Sequence, residues 1–219
     1  RFSTVLLLPV LLCLGGAAAS AAKPALSNGS FEDLLRLKAA PTANSMGRWV
    51  LKTGLHVPVD WNLSLAYPGE LEVVEGGAPE GDRFLRVVAQ KKRAAHLTQP
   101  FPGVRRGLTY ELTVRYRGGP VALSVYEYDA KGQLKTDRPF AGGEPTPQRD
   151  GPWGTLKGVY RLPEGMAKVV LAVTVPAGSE ADIDDVCLSQ IEQSETRLNV
   201  RDFGASGSEF ETTATTTAG

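Results

Sequence analysis

The stretch from Thr109 to Gly118 reads Thr-Tyr-Glu-Leu-Thr-Val-Arg-Tyr-Arg-Gly and alternates between two kinds of side chain from end to end. In an extended strand successive side chains point to opposite faces. Tyr110, Leu112, Val114 and Tyr116 therefore share one face, and Glu111, Thr113, Arg115 and Arg117 share the other. One face is apolar and one is wet, the pattern of a strand in an antiparallel sheet that covers a core on one side only. The segment from Val121 to Asp129 repeats the pattern: Val121, Leu123 and Val125 point inward, Ser124, Tyr126 and Tyr128 outward, and Asp-Ala-Lys-Gly follows as a turn. Two more strands are expected around the Gly/Pro turn within Leu71 to Gln90, two within Lys157 to Gly178, and a last one from Ala181 to Ile191. Strands at this spacing, with a wide irregular segment from Lys38 to Pro68, predict an all-β fold: an antiparallel two-sheet β-sandwich of jelly-roll type. The pattern leaves room for one helical turn, at Phe31 to Leu37, and for none elsewhere.

The two ends of the chain read differently from this middle. Residues 1–22 run from Arg1 through an apolar stretch, Val5 to Leu14, into small residues that include Ala19-Ser20-Ala21, the layout of a secretory signal that is cleaved rather than folded. The expected product is soluble and secreted or periplasmic. The alternative, a lipid anchor on Cys13, is disfavoured because Leu12 stands where a small residue is wanted. Cleavage leaves Cys187 without an intrachain partner, so stability is expected from packing or from a metal. Asn28-Gly29-Ser30 and Asn62-Leu63-Ser64 match the N-glycosylation triplet, a pattern common by chance. The 24 basic and 24 acidic side chains cancel, which removes the electrostatic reason to expect nucleic acid or an anionic membrane as partner.

Three stretches in order, Leu26 to Asp33 (LSNGSFED), His96 to Gly118 (HLTQPFPGVRRGLTYELTVRYRG) and Glu180 to Leu188 (EADIDDVCL), resemble the cellulose- and xylan-binding type of carbohydrate-binding module. The resemblance spans residues 24–191 and implies a β-sandwich that grips a polysaccharide and performs no chemistry. After Ile191 the alternation gives way to a polar linker, residues 192–197. Residues 198–219 then begin with Asn199 to Gly207 (NVRDFGASG), which resembles the opening strand of the pectate-lyase-superfamily right-handed β-helix. This copy has Ser208-Glu209 where Asp-Gly is common and lacks the paired aspartates that often follow. A single β-helix coil cannot bury its own apolar face, so the resemblance implies a truncated β-helix domain. The parent protein would then be a polysaccharide lyase or glycoside hydrolase.

The same resemblance implies a structural calcium ion tying the chain ends together. Its ligands would be Glu32 and Asp185, with Asp184 or Asp182 in second place, since calcium takes six to eight oxygens and loop carbonyls can complete the set. Because neighbours on a strand face opposite ways, only one of Asp184 and Asp185 is expected to look toward Glu32. The bland reading is that these carboxylates only accept hydrogen bonds from loop amides. For the sugar itself, the wet face carrying Arg115, Arg117, Tyr126 and Tyr128 is the expected platform, with Trp61 and Trp49 at one edge. Rings stack on the C–H faces of sugars, and guanidinium groups leave room for uronic acids. Trp61 and Trp153 are equally readable as core plugs. Two alternatives remain: a sandwich that only packs against the β-helix, and a jelly-roll lyase built on His96, Arg115 and Tyr126.

Overall fold

The computed structural model describes residues 26–43, 47–101, 103–144 and 151–191. The expected signal segment, linker and β-helix start lie outside the described residues. Fifteen strands run in chain order: β1 (Leu34–Arg36), β2 (Thr42–Ala43), β3 (Gly47–Arg48), β4 (Val50–Leu51), β5 (His56–Pro58), β6 (Asn62–Leu63), β7 (Gly69–Glu75), β8 (Arg83–Ala89), β9 (Ala95–Pro100), β10 (Thr109–Gly118), β11 (Val121–Asp129), β12 (Leu134–Gly143), β13 (Gly154–Arg161), β14 (Met166–Val175) and β15 (Glu180–Ile191). They make a six-stranded sheet in the order β13-β10-β15-β8-β7-β4 and a five-stranded sheet in the order β12-β11-β14-β9-β6, flanked by the small pairs β1-β5 and β2-β3. The all-β sandwich predicted from alternation is the fold. The helical turn allowed at Phe31 to Leu37 is instead a left-handed residue, Phe31 (φ 57°), followed by β1.

The alternation of β10 translates directly into layers. Tyr110, Leu112 and Val114 are fully buried and meet Val121, Leu123 and Val125 of β11 and Leu171 and Val173 of β14 in one continuous core. Each such side chain contributes about 1.5–3 kcal/mol relative to leaving it in water. Aromatic edges join the sheets: Phe101 packs on Tyr110 and Tyr160, with ring centroids 5.6 and 5.5 Å apart. At the open edge β12 closes against β13 because residue 158 is glycine; a Cβ there would stand 2.6 Å from the Phe140 ring and 2.9 Å from the Ala141 Cβ. Inside the sandwich the buried Glu127 accepts hydrogen bonds from the Tyr160 hydroxyl (2.9 Å) and the Arg138 guanidinium (3.1 Å), so this inward carboxylate is not left unpaired.

The irregular segment wraps one edge and anchors the N-terminal end. Trp49 is fully buried, with its indole N–H donating to the Ser64 carbonyl at 2.9 Å. Trp61 is 4% exposed, donates to the Asn28 carbonyl at 3.0 Å and meets Phe31 edge to face. Both tryptophans are core plugs, which corrects their placement at the edge of a sugar platform: an indole whose rings and N–H are both engaged has nothing left for a ligand.

Candidate functional site

The two sheets have opposite outer faces, and the alternation puts Arg115 and Arg117 on one of them and Tyr126 and Tyr128 on the other. The platform expected to combine all four is therefore not formed. Burial of Val114 and Tyr116 against the core turns Arg115 and Arg117 out of the six-stranded sheet, whereas burial of Val125 and Glu127 turns Tyr126 and Tyr128 out of the five-stranded sheet. Local alternation assigns a face relative to a strand's own neighbours and cannot say which sheet that strand joins.

On the six-stranded side Arg86 and Arg117 are engaged, while Arg115 reaches the Trp153 carbonyl at 3.5 Å and has its Nε buried without a hydrogen-bond partner. Asp182, 2% exposed, accepts from Arg86 Nε (2.8 Å) and from Arg117 Nε (2.9 Å). The Arg117 guanidinium also lies 4.8 Å from the Phe84 ring centroid and 4.6 Å from that of Trp153, a cation held between two aromatic faces. Trp153 donates its N–H to the Gly77 carbonyl (3.0 Å) and meets Phe84 edge to face, so it is held by the six-stranded sheet. Asp182 is thereby removed from the calcium candidates, since both of its oxygens are engaged by guanidinium groups.

The acidic cluster at the chain ends is real and is assembled differently from expectation. Asp185 adopts a left-handed backbone (φ 47°) where the β10–β15 register slips between Thr113 and Arg115. This bulge breaks the alternation, so both Asp184 and Asp185 serve the same corner. The Asp184 Oδ2 accepts the Glu80 amide at 3.2 Å, while its Oδ1 is buried without a hydrogen-bond partner. Burial pushes the Asp184 carboxyl up to about 7, with the negative charges of Asp185 and Glu32 adding to the rise against the Asp185 and Glu80 amides. The Asp185 carboxyl beside Glu80 holds the Glu80 carboxyl above its usual range, with burial and Glu32 adding to the rise. Glu32 Oε1 accepts the Asp82 and Arg83 amides, both at 2.8 Å, under Gly81, where any Cβ would stand 2.3 Å from that oxygen. Among the described residues no three carboxylate, imidazole or thiol side chains are arranged to hold a metal by themselves. The donor chemistry is oxygen throughout apart from Cys187, whose thiol donates to Asp185 Oδ1 at 3.0 Å and is pushed up to about 12 by burial.

The outer face of the five-stranded sheet carries a set that sequence reasoning only half found. His96 on β9 and Tyr126 on β11 flank β14, where Ala172 is fully buried between them and small enough for the two side chains to join above the sheet. The Tyr126 hydroxyl and His96 Nδ1 share a hydrogen bond. Tyr67, which leaves the loop after β6, lies parallel to the imidazole with centroids 4.0 Å apart and an interplanar angle of 12°. Its hydroxyl donates to Asp137 Oδ2 at 2.8 Å, and Asp137 stands directly opposite Tyr126 in the β11–β12 register. Tyr126 itself is tilted only 19° from Tyr67. The floor beneath is hydroxylated: Thr174 donates to Ser124 at 3.1 Å and Thr98 to the Asn62 carbonyl at 3.2 Å. Tyr128 occupies the next row, with the Lys168 ammonium 5.4 Å from its ring centroid.

Burial dominates the electrostatics of this face. It pushes His96 down to about 4, so the imidazole is neutral at neutral pH, and it pushes the Tyr126 phenol well above its ordinary value. Tyr67 is also raised, first by its hydrogen bond to Asp137. His96 and Tyr126 do meet, as the lyase reading required. Arg115 lies on the opposite sheet, so the His96-Arg115-Tyr126 set is not assembled. Tyr67 and Asp137 went unnoticed because each lies outside the alternating strands that stood out.

No family model and no curated protein matches the chain in sequence. Solved structures do match in shape. The CBM22-1 and GH10 modules of Clostridium thermocellum endo-1,4-beta-D-xylanase 10B, complexed with xylohexaose, align over 62% of this chain and 27% of that one, at 17% identity and a TM-score of 0.51. The CBM22-1-CBM22-2 tandem domain of Paenibacillus barcinonensis Xyn10C aligns over 62% of this chain and 43% of that one, at 15% identity and a TM-score of 0.50. At these identities the likeness is one of fold: the chain shares the β-sandwich of carbohydrate-binding modules and spans less than half of either structure.

Proposed function

We propose that residues 26–191 form a non-catalytic carbohydrate-binding module that holds a polysaccharide on the outer face of its five-stranded sheet. The observation that carries this reading is the near-parallel set of Tyr67, His96 and Tyr126 rings over a hydroxylated floor. Sugars present apolar C–H faces ringed by hydroxyls, and rings beside hydrogen-bonding groups are their complement. The fold it shares with a module complexed with xylohexaose supports the same reading. The lyase reading required Arg115 beside His96 and Tyr126, and Arg115 lies on the other sheet. The test is retention on polysaccharide affinity gels and a glycan array. The parent chain should be retained, and a Tyr126→Ala, Tyr128→Ala double variant should not. Silence across neutral and uronic polymers would favour a sandwich that only packs on a neighbouring domain, and release of unsaturated sugars would establish the lyase instead.

The acidic corner is assigned in the same proposal to a structural calcium held by Glu32 and Asp185, with Asp184 in second place and loop carbonyls completing the oxygen set. The support is the buried Asp184 Oδ1, which has no hydrogen-bond partner, in a corner shared with Asp185 and Glu32. The ion would bind the N-terminal segment to β15 and add to the folding free energy. Melting with calcium and with a chelator tests it, and an unchanged transition would leave the carboxylates with their amide bonds alone. Secretion and a β-helix domain of a lyase or hydrolase after Arg197 belong to the proposal on the strength of the sequence resemblances. Mapping the mature N-terminus and sequencing beyond Gly219 test them.

A further inference from the structure

The glycan-binding face carries its own charge selection. Tyr67 OH occupies Asp137 Oδ2, and Asp137 Oδ1 accepts no hydrogen bond among the described residues although the side chain is exposed beside Tyr126. An ionised carboxylate only accepts hydrogen bonds, and a sugar hydroxyl can donate one. A uronate carboxylate cannot, and it adds a like charge.

Among the described residues the cations nearest in sequence or on the candidate faces are engaged elsewhere or stand apart. Arg115 and Arg117 lie on the other sheet, Arg138 donates to the inward Glu127, and Lys135 pairs with Asp129 at 3.1 Å. Lys168 stands in the next row, over Tyr128. Asp137 is the charge that acts on both His96 and Tyr126.

From this arrangement we infer that Asp137 is a specificity-determining residue: it accepts hydroxyls of an uncharged sugar chain lying along Tyr67 and Tyr126 and excludes uronate-bearing chains from the same place. The inference rests on the polysaccharide-binding reading above. It reverses the expectation that arginines make room for uronic acids. One like-charge contact near a protein surface changes affinity by about tenfold at low salt.

The experiment compares retention of the full chain on gels containing neutral arabinoxylan or polygalacturonate, for the parent, Asp137→Asn, Asp137→Ser and Tyr126→Ala. The parent should be retained by the neutral polymer and pass through polygalacturonate. Both Asp137 variants should raise the ratio of polygalacturonate to neutral retention by about tenfold, and added salt should shrink that gain because it screens the repulsion. A parent chain that prefers polygalacturonate, or a ratio that neither Asp137 variant moves, overturns the role of Asp137. In that case loss of retention in Tyr126→Ala still upholds the face. A parent chain that neither gel retains overturns the face and the selection together.

Discussion

The outer faces of the two sheets are built from the same kinds of residue, tyrosine or tryptophan, arginine or histidine, and aspartate, yet they are in opposite states. On the six-stranded side Asp182 sits between Arg86 and Arg117, and Arg117 sits between Phe84 and Trp153. Those polar groups satisfy one another, so the face is structure. On the five-stranded side one oxygen of Asp137 accepts no hydrogen bond among the described residues, and Tyr67 and Tyr126 are only half-buried. The difference teaches that residue type does not mark a binding surface; polar groups that remain available do.

The largest expected effect lies on the six-stranded side. Asp182→Ala strands two guanidinium groups, 17% and 13% exposed, and should lower stability by about 3–5 kcal/mol in urea or thermal melts. Polysaccharide retention measured well below the new transition should stay at the parent level; a loss of retention there would erase the contrast between the faces. Next comes a pH effect on the five-stranded side. The folded His96 takes up its proton near 4, whereas an unfolded histidine does so near 6.5. Its contribution is thus complete above 6.5 and is lost as pH falls through 6.5 toward 4, by up to about 3 kcal/mol. Asp137, Tyr67 and Tyr126 surround it, so the comparison is with His96→Gln, whose stability should fall less over the same interval. Equal slopes would show that burial of His96 is not felt.

Smaller still is the expected cost of Tyr126→Ala alone, a drop of about tenfold in retention, equivalent to about 1.4 kcal/mol. Its melting transition should stay cooperative, and retention of the parent strength would shift the site toward Tyr128. The smallest effect is expected for Tyr67→Phe, which keeps the ring over His96 and removes only an exposed hydrogen bond to Asp137. A stability change of about 0.5 kcal/mol is predicted, and a loss of several kcal/mol would mean that this bond holds the loop to the sheet.

How far each region was legible follows from the range of the interactions that make it. The buried faces of β10 and β11 were readable because a strand's alternation is local. The outward placement of Tyr126 and Tyr128 was legible on the same basis. Tyr67 and Asp137 were not, because their bond joins residues 70 positions apart. That Asp184 and Asp185 share one corner was not legible either, because the bulge that brings both there depends on pairing with β10.

The sequence by itself determined that the chain would form an all-β sandwich: the period-two pattern, repeated segment after segment, can bury its apolar side chains only between two sheets. Only the tertiary structure decided which sheet each strand joins, and with it the separation of Arg115 and Arg117 from Tyr126 and Tyr128. The physical reason is that sheet membership and register are set by hydrogen bonds between strands far apart in the chain, and a single left-handed residue such as Asp185 resets which way every later side chain points.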